Sequence, residues 1–169
     1  MATVNRNSTI IADQVASPKV LVSPSKGSPA VLFSTSGYVA NAADDSATSV
    51  HRFCRLPSNA AIRQVLFSTG DATIGGAIDL GIYRTAGDGG AVVDADLFVS
   101  ALVLTGGPFS NLDVTFESGE FTQAEAVKPL WEGLGLTADP LCDYDVAATI
   151  STTYDGAAVG QLVTVNYVV

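Results

Sequence analysis

Basic side chains are scarce in this 169-residue chain, which has 8 Lys and Arg against 17 Asp and Glu and a formal net charge of −9. Proteins that bind nucleic acid need Lys and Arg to displace counterions from phosphates. Anionic membrane surfaces attract proteins through the same kind of basic cluster. Because the few basic residues are spread widely, we predict that neither nucleic acid nor a membrane is a partner.

Histidine and cysteine are also sparse. His51 is the only histidine, so a Ser–His or Cys–His catalytic pair would have to use it. Cys54 follows three residues later in the same predicted strand and should lie on the opposite face. Cys54 and Cys142 lack metal-ligand spacing, and we interpret them as free thiols of a protein made in a reducing cytoplasm. The sequence therefore predicts no catalytic set.

Nucleotide-binding loops and long apolar runs are missing as well. The clusters GDATIGG and GDGG lack the Lys-Ser/Thr of a P-loop and the spacing of a dinucleotide site, so we interpret them as turns. No stretch approaches the length of a membrane-spanning helix, and the N-terminal residues lack the apolar core of a signal peptide. We expect no cofactor and no membrane span.

Apolar residues, by contrast, make up 47% of the chain, while charged residues make up 15%. Globular domains usually carry about 25% charged residues. A chain of this length forms one domain with a sizeable core. Low surface charge is typical of a protein whose surface is covered by a partner, so the composition favours assembly.

The first 29 residues differ from the rest because they are rich in Pro, Ser, Thr and Asn. Their prolines and apolar islands are Pro18, Pro24, Pro29, Ile10–Ile11 and Val20–Val22. Prolines at this spacing break helices and sheets. We predict an extended N-terminal arm over residues 1–29, followed by a β-domain over residues 30–169.

The β-domain shows eight strand-like segments separated by turn residues, which predicts an all-β, antiparallel β-sandwich or jelly-roll-like domain. The segments are 30–36, 49–56, 61–69, 77–85, 99–105, 112–118, 144–154 and 159–169. Simple alternation places Arg52 on the face opposite Arg55, and Ile62 on the face opposite Val65.

One short helix is predicted over residues 124–136. Thr122 and Glu125 have the spacing of a capping box, and apolar residues follow at helical intervals. Pro129 should kink this helix or split it into two turns. We expect Trp131 to cover one end of the sandwich.

Three acids, Asp88, Asp94 and Asp96, lie close together after a predicted strand. The spacing fails the EF-hand pattern, because in a loop that starts at Asp88 the third and fifth positions are Gly90 and Val92. Two interpretations stay open: the acids shape a turn by bonding free backbone N–H groups, or they form a non-standard calcium site. Asp139, Asp143 and Asp145 form a second acidic cluster with the same two interpretations.

Residues 48–169 resemble a group of tailed-bacteriophage virion structural proteins. The resemblance rests on HRFCRLPSNAAIRQVLFST, DLGIYRTAGDGGAVVDADLF, KPLWEGLGLTADP and the two C-terminal strand segments. It is greatest to capsid decoration (cement) proteins, and it implies a non-catalytic protein made in the host cytoplasm. Such a protein binds the major capsid protein at the capsid surface and stabilises the shell by bridging capsomers. The alternatives are a tail-tube, head–tail joining or fibre-base component, or a carbohydrate- or receptor-binding β-sandwich module.

By analogy with such proteins, the arm would make the bridging contacts. The candidate partner-binding residues are Ile10, Ile11, Lys19, Val20, Leu21, Val22 and Lys26. The apolar residues would extend a neighbour's sheet edge, and the two lysines would pair with acids on the shell. The resemblance also implies a homo-oligomer, most simply a trimer.

Overall fold

A computed structural model describes residues 31–42, 45–70, 75–152 and 160–169. Its strands are β1 (Leu32–Ala40), β2 (Val50–Pro57), β3 (Ala61–Thr69), β4 (Ala77–Arg84), β5 (Val92–Val103), β6 (Phe109–Asp113), β7 (Asp143–Thr152) and β8 (Gly160–Val168). One α-helix, α1, spans Leu130–Gly133, and 3-10 turns span Ala86–Asp88 and Leu104–Gly106. In the described parts of the chain, no helix is long and apolar enough to cross a membrane.

The strands form two four-stranded sheets. The first, here the β1 sheet, has the order β1-β8-β3-β6, and the second, the β2 sheet, has the order β2-β7-β4-β5. The first strand pairs antiparallel with the last, the second with the seventh, the third with the sixth and the fourth with the fifth. This is one long antiparallel ribbon rolled into a sandwich, which is the jelly-roll arrangement. The predicted all-β fold is confirmed.

The core lies between the two sheets. Fully buried residues of the β1 sheet include Val65, Phe67, Val163 and Val165, and those of the β2 sheet include Ile78, Leu80, Ile82, Val146 and Ile150. Ile78, Leu80 and Ile82 occupy alternate positions of β4 and are all fully buried. In β8 buried and outward residues alternate, whereas the central strands of the β2 sheet, β4 and β7, are buried over most of their length on both sides.

The two sheets come very close on one side, where β1 passes β2. A Cβ atom added to Gly37 would lie 1.8 Å from the carbonyl oxygen of Phe53. Phe53 has no partner in the β2–β7 register, since the register shifts between Arg52 and Cys54. The bulge therefore brings the Phe53 carbonyl against a strand of the other sheet, and only glycine leaves room for it.

Bulges also overturn the predicted faces of two strands. In β3 the register shifts between Ile62 and Gln64, and Ile62 is buried together with Val65 and Phe67. The prediction that Ile62 faces away from Val65 was wrong, because one extra residue reverses the alternation beyond it. The same shift occurs in β2 and matters for the site described below.

The predicted helix is much shorter than expected. Glu125 accepts hydrogen bonds from the Thr122 backbone N–H at 3.1 Å and from the Thr122 hydroxyl, so the capping box forms. The turn does not continue, because Pro129 lacks an N–H and disfavours helical geometry in the residue before it. The helix α1 begins at Leu130, which is buried, whereas Trp131 is half-buried.

Two strand predictions were displaced along the sequence. The segment predicted as 99–105 falls largely in β5, which begins earlier, at Val92. The segment predicted as 112–118 overlaps β6 only at its start, since β6 ends at Asp113. The reason at β6 is local: the Asp113 carboxylate accepts from the Thr115 backbone N–H at 3.1 Å, and the Thr115 hydroxyl accepts from the Val65 N–H at 2.8 Å. These side-chain bonds replace the strand ladder after Asp113.

Candidate functional site

The structure separates the three acids of the predicted loop. Asp88 is exposed in the 3-10 turn, and its carboxylate lies 3.5 Å from Arg84 Nη1. Asp94 and Asp96 lie in β5, where the pairing with β4 jumps from Ile82–Asp94 to Leu80–Val99. Extra residues bulge out of β5 between these pairs, and the bulge gathers Asp94 and Asp96 with Glu120, with one ligand atom of each within 4.8 Å of the others.

Hydrogen bonds within this bulge match the turn interpretation. Asp94 Oδ1 accepts from the Asp96 backbone N–H at 3.3 Å, and the Ser100 hydroxyl donates to Asp96 at 3.4 Å. Partial burial raises the pKa of Asp94, and the nearby Asp96 carboxylate adds to this effect. Calcium binding by the predicted set stays a prediction. Glu120 was missed because it is distant in sequence and belongs to no spacing pattern.

The second acidic cluster, Asp139, Asp143 and Asp145, is divided among separate contacts. Asp139 accepts from the Leu141 backbone N–H at 2.9 Å and from the Ser58 hydroxyl, which fixes a turn. Asp143 is exposed at the start of β7. Asp145 is only 6% exposed, and its carboxylate meets two arginines.

These two arginines, Arg52 and Arg55, form an ion-pair cluster with Asp145, here the Asp145 cluster. Arg52 Nη1 lies 3.1 Å from Asp145 Oδ2, and Arg55 Nε lies 2.8 Å from Oδ1. The hydrogen bond to Asp145 raises the pKa of Arg55. Residues three apart in a regular strand point to opposite faces, so the prediction separated the arginines. The bulge at Phe53 restores them to one face, and both reach the same carboxylate.

The Asp145 cluster also holds the turn between β4 and β5. Arg52 donates to the backbone carbonyls of Arg84 and Gly90, each at 2.9 Å, and its guanidinium lies 5.4 Å from the centre of the Tyr83 ring. Gly90 has a positive φ of 65°, and a Cβ there would lie 3.0 Å from Arg52 Nη2. One side chain therefore fastens this turn to the edge of the β2 sheet.

An open cavity of about 450 Å³ lies beside this cluster, lined by Arg52, Phe53, Cys54, Arg55, Ala86 and Asp145. Burial raises the pKa of the Cys54 thiol to about 12, and the Asp145 charge adds to this effect. A thiol held protonated is a poor nucleophile. His51 contacts other groups, with Nε2 3.3 Å from Asp45 Oδ2 and Nδ1 3.3 Å from Gln161 Oε1. The cavity therefore places a protonated thiol, and not a thiolate, beside the Asp145 cluster.

The outer face of the β1 sheet is built differently. Its outward residues, here the neutral face, are Ser34, Ser36, Tyr38, Gln64, Leu66, Ser68, Leu162, Thr164 and Asn166. None of these nine residues is charged, but the exposed Asp113 of β6 pairs with Leu66 and lies on the same outward side. The four strands of this sheet contain only two charged residues, Arg63 and Asp113. Arg63 Nη1 donates to the Ala126 carbonyl at 2.6 Å, and Asp113 lies on the edge strand.

Hydrogen bonds cross the neutral face from strand to strand. The hydroxyls of Ser36 and Thr164 lie 2.8 Å apart. Asn166 donates to Gln64 at 3.1 Å, and Gln64 donates to Asp113 at 3.0 Å. At one end of the face is a mostly apolar groove of about 440 Å³, lined by Tyr38, Ser68, Thr69, Gly70, Pro108, Phe109, Ser110, Gly160 and Leu162. The outer face of the β1 sheet is thus hydrogen-bonded from strand to strand, with one carboxylate, Asp113, at its edge and a groove at one end.

The predicted partner-binding residues of the arm, Ile10, Ile11, Lys19, Val20, Leu21, Val22 and Lys26, lie outside the described residues. The first three described residues, Val31, Leu32 and Phe33, are 64%, 62% and 44% exposed. Sequence patterns indicated neither the neutral face nor the Asp145 cluster. Charge mapped onto the eight predicted strands would have revealed the first, whereas the second depends on a bulge.

Comparison with known proteins shows a likeness in fold to a solved structure. No protein-family model and no curated protein matches the chain. A chain in the solved structure of the cyanophage Pam1 capsid asymmetric unit superposes with a TM-score of 0.54, over 91% of this chain and 96% of that chain. The two are 18% identical. At this identity the likeness concerns the fold, and it extends over nearly the whole of both chains.

Proposed function

We propose that this protein is a structural component of a bacteriophage virion that binds the outside of the capsid. There it bridges neighbouring capsomers and stabilises the shell, with the major capsid protein as its partner and without catalysis. The observation that carries the proposal is the fold likeness to a chain of a phage capsid asymmetric unit, which leaves little of either chain unmatched. The resemblance of residues 48–169 to tailed-bacteriophage virion structural proteins also supports it.

The architecture suits such a role. A jelly roll whose two sheets share a fully buried core is a rigid body. A shell-binding protein also needs outward surface for contacts, and this one has a face with Asp113 as its one charged outward residue and an open cavity beside Arg55. The proposed arm over residues 1–29 would add contacts to a neighbouring subunit. Many copies, each with a modest interface, hold a shell through avidity.

Co-sedimentation tests the proposal directly. Purified protein would be mixed with expanded capsids of its own phage that lack it, and bound copies would be counted by quantitative mass spectrometry after a density gradient. We expect saturable binding of hundreds of copies per shell. Failure to bind capsids, with the native protein found on isolated tails or at only a dozen or so copies per particle, would favour a tail or head–tail joining role.

Deleting residues 2–29 then tests the arm. We expect a folded, soluble domain that no longer attaches to capsids, because the described core is built without these residues. Circular dichroism would establish folding, and the same sedimentation assay would establish binding. A truncated protein that still binds fully, or one that fails to fold, would contradict the assignment of attachment to the arm.

A further inference from the structure

One end of the sandwich, here the arm end, gathers exposed apolar side chains. At this end β1 and β3 begin and β8 finishes, since Leu32 and Ala61 both pair with Val168. The β2 sheet reaches the same end, because Ser58, just after β2, donates its backbone N–H to the Cys142 carbonyl, just before β7, at 2.8 Å. The exposed large apolar residues of the arm end include Val31, Leu32, Phe33, Leu136, Leu141 and Val169.

Leu141 is the most exposed of these residues, at 87%. It lies in the loop between α1 and β7, and its φ is 51°, in the left-handed region that favours glycine. A leucine in this conformation strains its backbone, because its Cβ crowds the carbonyl oxygen that follows. Its side chain also stays in water, so the folded chain by itself would be served better by glycine at this position.

Hydrogen bonds hold the loop that carries Leu141 in place. The Asp139 carboxylate accepts from the Leu141 backbone N–H at 2.9 Å and from the Ser58 hydroxyl, so it is turned toward the chain. The Leu136 backbone N–H donates to the Trp131 carbonyl at 3.1 Å. The loop is therefore fixed where both of its exposed leucines lie, and a side chain presented from an ordered backbone loses less entropy on binding.

The arm end also carries charge. Asp143 is exposed at the start of β7, and Arg84, the last residue of β4, pairs with Asp88 at 3.5 Å. Contacts between proteins commonly combine apolar anchors with a polar rim. The composition of the arm end is thus that of an interaction surface.

The attachment point of the arm indicates which partner this surface meets. The proposed arm contacts the shell through residues such as Val22, and Val31 lies nine residues after Val22 in the sequence. An extended chain covers at most about 3.5 Å per residue, so the arm end would lie within about 30 Å of the shell. The opposite end, where Tyr38 and Val103 are exposed, is a further strand length of about 30 Å away from the attachment point.

The size of the arm end agrees with a contact shared between the domain and the arm. Sheets pack about 10 Å apart and strands about 4.8 Å apart, so the end of a four-stranded sandwich is narrow. Stable interfaces bury about 800 Å² per partner. The arm end would supply only part of that area, and the arm attached to it would supply the rest.

We propose that the arm end faces the shell and that Leu141 is its anchor, which inserts into an apolar pocket of the major capsid protein. The proposal rests on the proposed function, because it names the surface through which the domain itself takes part in attachment. Insertion of Leu141 would remove its side chain from water, which explains why a strained leucine occupies an exposed turn.

The test compares two substitutions of Leu141 in the full-length protein by co-sedimentation with expanded capsids. Leu141→Gly should bind at least about tenfold more weakly than the wild type. Its denaturant midpoint should not fall, because glycine adopts a positive φ freely. Leu141→Met keeps a large apolar side chain and should bind within about twofold of the wild type. Weaker binding without weaker folding separates an anchor from a structural residue.

Val103→Ala is the control at the opposite end, where Val103 is 57% exposed and pairs with the first residue of β4. It should bind like the wild type. Hydroxyl-radical footprinting of the bound wild type should show protection of Leu136 and Leu141 relative to the free protein, while Tyr38 stays reactive. A wild type that does not bind capsids would overturn the proposed function and this surface with it. If the wild type binds, equal binding by Leu141→Gly or protection of Tyr38 instead of Leu141 would overturn the surface alone.

Discussion

The two sheets have the same four-stranded architecture, but different side-chain interactions connect the strands on their outer sides. The β2 sheet contains most of the charged strand residues. Arg52 and Arg55 of its edge strand β2 bind the buried Asp145 carboxylate of β7, and Arg52 also bonds to the turn between β4 and β5. The β1 sheet is joined across its outer face by hydroxyl and amide hydrogen bonds. The buried sides are equally apolar, so the difference lies in what each outer surface meets.

This contrast shows how a jelly roll separates folding from recognition. The core needs only alternation, and either sheet would bury its apolar side whatever its outer residues were. The outer residues are therefore free to match a partner. The two sheets differ in this respect, since the strands of the β2 sheet contain eight charged residues and those of the β1 sheet contain two. The contrast between the two sheets is tested by substitutions where β1 meets β2, within each sheet, and beside the cavity.

The largest effect is expected where the two sheets meet. Gly37→Ala would drive a Cβ atom into the Phe53 carbonyl, which is backbone and cannot rotate away. We expect the free energy of unfolding to fall by at least about 3 kcal/mol, the upper range for overpacking. Urea unfolding followed by circular dichroism would measure this.

Gly87→Ala is the matched control for that substitution. A Cβ at Gly87 would meet nothing closer than the Thr85 hydroxyl, at 3.9 Å. This variant should unfold within about 0.5 kcal/mol of the wild type. Equal stability of the two alanine variants would mean that the sheets are not in direct backbone contact at Gly37.

The next effect concerns the charged sheet. Asp145→Asn would leave Arg52 and Arg55 without their shared counter-charge in a site that is only 6% exposed. We expect a loss of about 2 kcal/mol, below the range for fully buried pairs because both arginines are partly exposed. Asp143→Asn, at an exposed position of the same strand, should change little. Denaturant midpoints of the two variants give the comparison, and similar losses would remove the special role of the cluster.

How much of this could be predicted from sequence depends on the range of the interactions involved. Eight strands and the all-β class follow from local alternation and turn residues, which act over a few positions. Arg52 and Arg55 were assigned to opposite faces because a bulge adds one residue without any residue signature in the sequence. The grouping of Asp94 and Asp96 with Glu120 likewise depends on tertiary contacts between segments that are distant in sequence.

The helix was overestimated for a related reason. The capping box at Thr122 was identified correctly, and its hydrogen bonds form. Its continuation depended on whether the chain could pass Pro129, and tertiary contacts decided this: the Leu130 and Trp131 backbone N–H groups bond to the Ala60 and Ser58 carbonyls at 2.7 and 3.0 Å. These contacts dock α1 on the turn between β2 and β3 instead of extending the first turn.

A smaller loss of stability is expected when low pH protonates Asp113, which lies in the β1 sheet. Although partial burial opposes it, hydrogen bonds from Thr115 and Gln64 hold the pKa of Asp113 below its ordinary 3.8. Because the folded-state pKa is depressed, the stabilisation is present above pH 3.8 and is lost as pH falls through the lower value. Asp113 is largely exposed, so we expect less than about 1 kcal/mol.

Urea unfolding at pH 6 and pH 2.5 would measure that loss. The wild type should lose more stability between these two pH values than Asp113→Asn does, because the variant lacks the titrating carboxylate. Asp88→Asn, which removes an exposed acid for which only a surface ion pair is seen, controls for general charge effects. If Asp113→Asn retained the full pH dependence of the wild type, the hydrogen bonds to Asp113 would not depend on its charge.

The last prediction concerns the reactivity of the Cys54 thiol beside the cavity, where the smallest effect on stability is expected. With its pKa raised from 9.0 to about 12, the folded thiol has about a thousand-fold less thiolate at pH 8 than a free cysteine. In a Cys142→Ser background, iodoacetamide should therefore modify Cys54 far more slowly in the native protein than in urea. Asp145→Asn removes one of the two causes of the shift, so it should speed native modification without matching the unfolded rate. Equal native and unfolded rates would mean that the cavity admits a charged thiolate, and that the Asp145 cluster leaves the thiol beside it unaffected.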